Sequence, residues 1–495
     1  MAQELRVVWD DFSGGDYGKT SPFKAAPNTF KGVNVIQYRD GLLGPRQALV
    51  PTHNTGLPVG AIEGFGWNAT TGADLWVVIG TKVWTRGTST WFQSAASLSI
   101  TPTERVVSVA SSNTITYILV YGDGLYRVNH NPEAAPTLTK ITTVTAAMAG
   151  RALCVYNNRL MLAAKDNNLV YYSNAADFNT FSSVNYFEVG DILEVRYMAH
   201  QRDSLCLIKR DASIWIMTGV PGTGTLRKYY PGSHPAGVFS NFCVARGDGT
   251  ILFAANDGQW PVTFDGANLK DFKYLEFASG VATDSTHIQA ARIDNRQDIL
   301  FLPGTATSSG TGYQFINGAW TTITFGQQVS TYVAEPLQHL LYFTNGGSAG
   351  AVATFYSLDQ TAYDRPGNGD ASSTQMDASV VLAPWSSPDG REVRVRQIIV
   401  DYKAWNTGGA LAAGLTMWCT VFKNPGGAQE IASADQTISI PQADLPSGGE
   451  YRRTVFNIGD QGLGSAFEIS LLQIRSLALA SVTAIVEVQP ERPRS

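Results

Sequence analysis

A short pattern of apolar and polar residues recurs along most of the chain. Three or four apolar residues precede a turn containing Gly, Asp or Asn, and a return strand follows that usually carries an aromatic residue. In YILVYGDGLYRV, residues 117–128, a Gly-Asp-Gly turn separates two such strands. Asp-Gly between two apolar runs is a strong β-hairpin signal, because glycine adopts positive φ without a steric penalty. The pattern therefore predicts a hairpin at each occurrence.

The predicted hairpins are regularly spaced. The intervals between successive starts are 43, 42, 45, 46, 48 and 41 residues, and further strand-like segments precede or follow most of them. Three to four strands repeated every ~40–50 residues are typical of propeller blades, which stack on one another and close into a ring with few exposed edges. The starts are Leu75, Ile118, Leu160, Leu205, Ile251, Ile299 and Leu340.

The sequence therefore predicts an all-β protein with a β-propeller at residues 33–360. We count seven blades, or six if one unit is a partial or terminal strand pair. An N-terminal arm, residues 1–32, precedes the propeller. Residues 33–52 have the pattern strand, Asp-Gly turn and strand, so this segment is a candidate for the strand that closes the ring. A large β-sandwich is the alternative fold, but sandwiches rarely keep so regular a period.

The pattern changes after the predicted propeller. Residues 361–376 are polar and rich in Gly, Asp, Ser and Thr, which is typical of a linker. Longer strand-like segments separated by glycine-rich turns follow in residues 377–495, where Val393 and Val395 alternate with arginines. Five or more antiparallel strands in about 115 residues predict a C-terminal β-sandwich domain.

Composition and charge narrow the class of protein. Apolar residues make up 44% of the 495 residues and charged residues only 16%, and 48 glycines suit short strands and tight turns. A net charge of −5 lacks the basic footprint of a tight nucleic-acid binder, whereas DNA that passes through a pore needs no strongly attractive wall. Because no signal peptide and no apolar run of ~18 residues is visible, we expect a protein made in the cytoplasm without stable membrane insertion.

No familiar motif for metal, nucleotide or nucleophilic chemistry occurs in the sequence. The histidines do not have HxH or HExxH spacing, and neither a GxSxG nor a phosphate-binding loop motif is present. Asp10, Asp11 and Asp16 lack the EF-hand pattern, so we interpret them as part of a loop. No catalytic residue, cofactor or metal is predicted. Four cysteines without CxxC spacing are expected to be small buried hydrophobes: Cys154, Cys206, Cys243 and Cys419.

Two sets of arginines are candidate functional residues. The first set lies near predicted blade starts at intervals of 46, 51, 44 and 46 residues, so it would form either a cationic ring that contacts DNA in a channel or a set of solvated strand ends. The second set lies on one polar strand face, which serves either a subunit interface or a solvated edge. The ring set is Arg105, Arg151, Arg202, Arg246 and Arg292, and the interface set is Arg391, Arg394 and Arg396.

The order of segments resembles that of the tail nozzle proteins of short-tailed bacteriophages, also described as packaged-DNA stabilisation proteins. Residues 23–52 contain a loop, a strand, an Asp-Gly turn and an Arg-containing strand, as at the start of many such propellers. EVGDILEVRYMAHQRDSLCLIKRDASIWIMTG, residues 188–219, looks like the central segment of that family, and residues 249–272 and 293–304 fit the two following blades. The C-terminal β-domain matches in position.

The resemblance implies a structural virion protein. Members of this family assemble as a sixfold ring beneath the portal and adaptor and help to close the channel after DNA packaging. The implied partners are further copies of the chain in a hexamer, the tail adaptor or portal-proximal protein, a distal tail, spike or plug protein, and phage DNA bound without sequence specificity. The family has no catalytic residues to carry over, so the resemblance implies a protein that is not an enzyme.

Two other functions remain open at this point. A receptor- or carbohydrate-binding protein at the tail tip would present exposed aromatic residues in blade loops, for which Trp91, Trp260 and Trp320 are candidates. A glycoside hydrolase would use a pair of carboxylates. The segment NDGQW, which contains Asp257, is faintly similar to the Asp-Gly-Trp turns of sialidase propellers but supplies no such pair.

Overall fold

The computed structural model consists of β-strands, turns and connecting segments, with no α-helix among the residues it describes. The described residues are 3–16, 26–37, 41–45, 48–52, 57, 62–68, 74–87, 90–101, 106–112, 115–131, 133–201, 203–211, 213–230, 245–247, 250–255, 260–265, 268–271, 289–293, 298–302, 311–316, 319–324, 331–335, 340–344, 355–359, 363–364, 374–375, 378–404, 415–423, 430–431, 436–440, 449–458, 466–472 and 477–489.

The strands are numbered in chain order. The N-terminal segment contains β1 (Gln3–Trp9), β2 (Gly15–Asp16), β3 (Thr29–Val33), β4 (Val35–Gln37), β5 (Leu43–Pro45) and β6 (Ala48–Thr52). The first half of the central region contains β7 (Ile62–Asn68), β8 (Asp74–Ile79), β9 (Lys82–Arg86), β10 (Trp91–Gln93), β11 (Val106–Ser112), β12 (Ile115–Val120), β13 (Gly124–Asn129), β14 (Thr137–Lys140), β15 (Leu153–Tyr156), β16 (Arg159–Ala163), β17 (Leu169–Asn174), β18 (Asp177–Glu188), β19 (Val195–Gln201), β20 (Ser204–Lys209), β21 (Ile214–Thr218) and β22 (Thr225–Tyr230).

The numbering continues through the rest of the chain. The second half of the central region contains β23 (Ala245–Gly247), β24 (Thr250–Ala255), β25 (Trp260–Phe264), β26 (Leu269–Asp271), β27 (Gln289–Ile293), β28 (Asp298–Leu302), β29 (Thr311–Ile316), β30 (Ala319–Thr324), β31 (Thr331–Glu335), β32 (Leu340–Thr344) and β33 (Phe355–Asp359). The C-terminal region contains β34 (Tyr363–Asp364), β35 (Thr374–Gln375), β36 (Ser379–Leu382), β37 (Trp385–Ser386), β38 (Val393–Ala404), β39 (Leu415–Lys423), β40 (Glu430–Ile431), β41 (Gln436–Ile440), β42 (Glu450–Asn457), β43 (Ala466–Leu472) and β44 (Leu477–Val488).

The central region is built from four-stranded antiparallel units, here called the ring sheets. They are β7–β10, β11–β14, β15–β18, β19–β22, β23–β26 and β27–β30, together with β31–β33 completed by β6. In this last unit, Phe355–Asp359 pairs with Ala48–Thr52 of the N-terminal segment, which therefore supplies a closing strand. The structure confirms that all seven predicted hairpin starts lie in the second strand of a unit.

The ring sheets are joined through their first strands. β7 contacts β11, β11 contacts β15, and β15 contacts β19; β23 contacts β27, β27 contacts β31, and β31 returns to β7. The apolar clusters lie between neighbouring units: Leu119 of β12 and Leu160 of β16 share one, and Met161 of β16 and Leu205 of β20 share the next. Stacked antiparallel sheets whose first strands return to the starting unit fit a β-propeller.

A second region, here called the two-sheet unit, contains the described parts of residues 3–45 and 378–489. Its sheet A has the order β4-β5-β44-β38-β42 with β1 on β44, and its sheet B contains β3-β36-β43-β39-β40 with β2, β37 and β41 at the side. Both sheets face one apolar core, to which sheet A contributes Val400 and Phe456 and sheet B contributes Phe30 and Ile469.

The N-terminal segment connects the two regions. β3 pairs with β36 of the two-sheet unit and makes one parallel bridge, Val33 to Thr322, with β30 of a ring sheet. Sheet B and the unit β27–β30 therefore form one sheet of 12 strands. The sequence assigned residues 1–32 to an arm and placed the propeller start at residue 33. In the structure β1–β5 lie in the two-sheet unit and only β6 lies in the ring sheets. The local sequence pattern does not reveal this, because β1, β3 and β5 pair with strands that are hundreds of residues away.

The predicted linker also contains a small amount of regular structure. Within residues 361–376, β34 and β35 pair with each other, and β34 contacts the closing strand β6. The segment between the two regions therefore runs beside the place where the last ring sheet is completed.

Candidate functional site

A group of charged and aromatic side chains, here called the polar cluster, lies at one end of the ring sheets. Loops that lead into first strands and turns that follow second strands lie at the same end of a unit, because antiparallel neighbours run in opposite directions. The cluster draws side chains from three successive units. Its members are Tyr121, Arg151, Lys165, Asp166, Glu194 and Arg196.

Arg151 is at the centre of the polar cluster. Its guanidinium carbon lies 4.1 Å from the ring centroid of Tyr121, and its Nε lies 3.3 Å from Oε1 of Glu194. The same carboxylate oxygen accepts a hydrogen bond of 2.5 Å from Nε of Arg196. All three charged side chains are largely buried. The charge of Arg151 therefore serves contacts between neighbouring ring sheets.

Tyr121 links the cluster to the next turn. Its hydroxyl donates a hydrogen bond of 2.7 Å to Oδ1 of Asp166, and the Lys165 ammonium lies 5.1 Å from the ring centroid. Burial, followed by the hydrogen bond to Asp166, raises the pKa of Tyr121 to about 12. The phenol is therefore neutral at physiological pH and acts as a hydrogen-bond donor and a cation–π platform.

A buried lysine fixes the loop that leads into β19. Lys209 has 0% side-chain exposure and donates hydrogen bonds of 2.7 Å to the carbonyl oxygens of Val189 and Asp191. It also bonds the Asp191 carboxylate, which lowers the pKa of that group. Gly190 has φ +59°, and a Cβ there would lie 2.3 Å from Trp215 Cζ2, so only glycine fits without a shift. A buried charge needs hydrogen-bond partners, and those of Lys209 lie in the loop before β19. Their hydrogen bonds therefore fix the conformation of this loop.

The first set of candidate arginines does not lie at one level of the ring sheets. Arg151 precedes the first strand β15, whereas Arg246 and Arg292 lie near the C-terminal ends of the first strands β23 and β27. These positions are at opposite ends of the first strands, so the three arginines cannot share one ring. Arg105 and Arg202 lie outside the described residues.

The second set of arginines is near the start of β38. Arg394 and Arg396 alternate with the core residues Val393 and Val395, as expected for one polar face. Arg396 donates a hydrogen bond of 2.6 Å from Nε to Oε2 of Glu487 on β44.

Arg391 precedes the strand instead of sharing its face. Its Nε donates a hydrogen bond of 2.8 Å to Oδ2 of Asp389 in the preceding turn. The hydrogen bond from Arg391 also lowers the pKa of Asp389. The polar face of β38 therefore contains two of the three predicted arginines.

The expectation of exposed tryptophans in blade loops is wrong for the two whose side chains are described. Trp91 is only 6% exposed and Trp320 only 1% exposed, because both lie in strands and pack in the interior. The side chain of Trp260 and the whole of Asp257 lie outside the described residues. Trp91 and Trp320 therefore cannot line a sugar-binding surface in blade loops.

Asp11 near the N-terminus lies in a turn, and the described cysteines lie in the interior. Asp11 accepts a hydrogen bond of 2.8 Å from the Ser13 backbone N–H, which is typical of a turn, and its hydrogen bonds with Ser13 lower its pKa. The side chain of Asp16 lies outside the described residues. Three cysteines are buried, as predicted: Cys154, Cys206 and Cys419. Cys243 is not among the described residues.

Within the described part of the chain, no group of three or more His, Cys, Asp or Glu side chains is arranged to hold a metal ion. No helix in that part is long and apolar enough to cross a membrane.

The sequence pointed to Arg151 through the regular spacing of its arginines, but it gave no comparable signal for Tyr121, Glu194 or Lys209. The only signal for Lys209 was a charged residue directly after a continuous apolar run, which also fits an ordinary strand end.

Comparison with known proteins gives no family. The sequence matches no protein-family model and no curated protein. The crystal structure of Raptor from Chaetomium thermophilum is similar with a TM-score of 0.43 and 11% identity, covering 63% of this chain and 29% of the Raptor chain. BamB from Moraxella catarrhalis has a TM-score of 0.40 and 10% identity, covering 72% of this chain and 100% of BamB. This chain therefore spans less than a third of the Raptor chain. Because these scores are low, the fold assignment rests on the strand pairing described above.

Proposed function

We propose that the protein is a structural component of a bacteriophage tail. In this proposal the ring sheets form a seven-bladed propeller and the two-sheet unit is a β-sandwich docking domain. Six copies form a ring below the portal and adaptor that closes the DNA channel, retains packaged DNA and conducts it at ejection. The sequence resemblance of residues 23–52 and 188–219 to tail nozzle proteins supports this role.

The observation that carries the proposal is the sheet of 12 strands shared by both regions. β3 joins β30 through the bridge from Val33 to Thr322 and pairs along its length with β36 of sheet B, which restrains relative movement of the propeller and the docking domain. Flexible linkers between domains allow such movement by default. A ring that holds DNA under pressure needs rigid subunits, so this continuous sheet suits a mechanical role better than a catalytic one.

The proposed blade count follows from the strand order. Six units are formed from consecutive strands, and the seventh is completed by β6. Closure by a strand from the other end of the chain removes an exposed sheet edge and prevents the ring from opening at that point. A subunit built in this way keeps its shape when it is pulled.

Negative-stain electron microscopy of the purified full chain, alone and with a portal and adaptor complex, tests the proposal. We expect ring-shaped particles with sixfold symmetry and a central channel. A chain that remains monomeric under both conditions would overturn the proposal. A symmetric closed assembly without a channel wide enough for duplex DNA would overturn the conduit part of it.

A further inference from the structure

Sheet A has a second face that does not contact the described core, here called the outer face. Along β38, β42 and β44, core residues alternate with residues that point the other way. The same alternation places Val8 of β1 on this outer face, beside β44. Antiparallel sheets commonly have one face on a core and one in water, and the second face is then polar.

The outer face departs from this expectation because Val8, Ile399 and Val455 share one cross-strand row with Thr483, here called the apolar row. Val8 is opposite Thr483, Thr483 is opposite Ile399, and Ile399 is opposite Val455, so the row crosses four strands. Val8 is 51% exposed and Val455 is 44% exposed, and Ile399 is partly exposed. Ile485 lies in the adjacent row opposite Gln397 and is only 8% exposed. Single exposed apolar residues are ordinary, whereas several that meet on one sheet face are typical of an interaction surface.

Ion pairs border the apolar row on both sides. On one side Arg396 donates to Glu487. On the other side Arg453 bonds Asp401 through Nε at 2.6 Å and Nη2 at 2.9 Å. Tyr451, with Lys403 6.0 Å from its ring centroid, lies beyond the second pair. An apolar centre bordered by Tyr, Arg and paired charges has the composition of a protein–protein interface.

The outer face is cationic although the chain is acidic. Its charged residues sum to +2, whereas the whole chain carries −5, so the rest of the chain carries −7. The remainder of another copy of the same chain is therefore net acidic. These charged residues are Glu4, Arg6, Arg394, Arg396, Asp401, Lys403, Arg453 and Glu487.

We propose that the outer face of sheet A binds an acidic surface of a second copy of the chain. Two outer faces placed against each other would oppose two cationic surfaces, which disfavours a twofold dimer. A head-to-tail contact brings the +2 face against acidic surface instead, and such heterologous contacts produce rings when the rotation closes. The inference rests on the proposed ring assembly and names the surface through which that assembly forms.

Mass photometry and sedimentation velocity of the full chain at about 50 mM and about 300 mM NaCl test this contact. The variant Val455→Asp places a like-sized charged group in the apolar row. Val184→Asp makes the same change at a valine that is 76% exposed on β18 of the ring sheets, and it is the matched control. Arg6→Glu, at an exposed position of the outer face, keeps the test valid if Val455→Asp fails to fold.

We expect the chain to oligomerise, with weaker assembly at the higher salt concentration. Val455→Asp and Arg6→Glu should each raise the concentration for half-assembly at least about tenfold, and Val184→Asp should leave it unchanged. Rings that form equally well with Val455→Asp and Arg6→Glu would overturn the assignment of this face and leave the proposed function standing. Open chains or dimers that these variants disrupt would support the face and count against a closed ring. A chain that is monomeric at every concentration would overturn both.

Discussion

The ring sheets and the two-sheet unit are both antiparallel β-structure, but their strands find partners in different ways. In the ring sheets a strand pairs mainly with its neighbour in the sequence, as β12 does with β13 across Tyr121–Gly122–Asp123. In the two-sheet unit Gln3 pairs with Val488, and Phe30 pairs with Leu382. Local pairing needs little loop closure, whereas these long-range pairs become favourable only when the ends of the chain have met.

The difference indicates that the two regions are destabilised by different changes. A ring sheet is weakened mainly by changes within itself or in the cluster it shares with its neighbour. The two-sheet unit depends on residues 3–45, which lie far in sequence from most of their partners. The buried cysteines report on the regions separately, since Cys154 and Cys206 lie in ring sheets and Cys419 lies in β39 of the two-sheet unit.

Deletion of residues 1–45 should have the largest effect. We expect it to unfold the two-sheet unit while the ring sheets stay folded. It removes five buried apolar residues from the core of the two-sheet unit and leaves β6 in place. Burial raises the pKa of the Cys419 thiol to about 12, so exposure should return it to the reactive range. We expect iodoacetamide to label Cys419 in native buffer while Cys154 stays protected, as measured by mass spectrometry of peptides. Protection of Cys419 in the truncated chain would contradict this account.

A pair of core substitutions should sharpen the comparison. Phe456→Ala in the two-sheet unit and Leu119→Ala in the ring sheets remove buried side chains, at a cost of about 3–5 and about 2–5 kcal/mol respectively. In a urea titration with pulsed alkylation, Phe456→Ala should lower the midpoint for Cys419 more than that for Cys154. Leu119→Ala should do the reverse. Equal shifts of both thiols in both variants would show that the regions unfold as one.

A single hydrogen-bonded serine joins two successive ring sheets and should have a smaller effect. The Ser108 hydroxyl accepts a hydrogen bond of 3.1 Å from the Leu153 backbone N–H. Ser108→Ala leaves that buried N–H unsatisfied, so we expect a loss of about 1–3 kcal/mol in the free energy of unfolding. The control Ser111→Ala, at an exposed position, should change it by less than about 0.5 kcal/mol. Similar losses in both variants would argue against a specific contact between the units.

The smallest expected effect concerns pH. Hydrogen bonds from Arg453 lower the pKa of Asp401 on the outer face. Ionised Asp401 therefore stabilises the folded state above the ordinary carboxyl pKa of about 3.9. This contribution is lost as pH falls through the lower pKa of Asp401 in the folded state. Asp401→Asn should flatten the acid side of the thermal-stability profile, with a change below about 1 kcal/mol at neutral pH. Arg453→Gln should flatten the profile less, because the Ser481 hydroxyl still donates a hydrogen bond of 3.1 Å to Asp401. Additive effects of the two changes would mean that Asp401 and Arg453 do not interact.

Hairpins could be predicted from sequence because their signals are local. Gly122 has φ +72°, as its turn requires, and Asp123 accepts hydrogen bonds from the Tyr126 hydroxyl at 2.6 Å and the Lys140 ammonium at 2.7 Å. This agrees with the prediction that the aspartate serves the turn. Outer strands such as β14, with only Leu138 buried, have too few apolar positions to give a strong signal.

Partners and side-chain surroundings could not be predicted in the same way. Nothing local to β1 or β3 indicates that these strands join the C-terminal region, since short strands with alternating burial fit several sheets. Regular spacing of arginines suggested one ring, but spacing along the chain does not specify the end of a strand at which a residue lies. The exposed Val8 and Val455 form one row only through a register that brings together the two ends of the chain.

The pairing of β1 with β44 also determines when this protein can finish folding during synthesis. Almost the whole chain separates Gln3 from Val488, and a ribosome that adds about 5–20 residues per second needs about 25–100 s to make it. During that time the N-terminal strands emerge without their partners, while each ring sheet can form soon after its last strand appears. The cell must therefore keep an unpaired β1 from aggregating until β44 leaves the ribosome, and slow translation of the codons for β44 would prolong that risk.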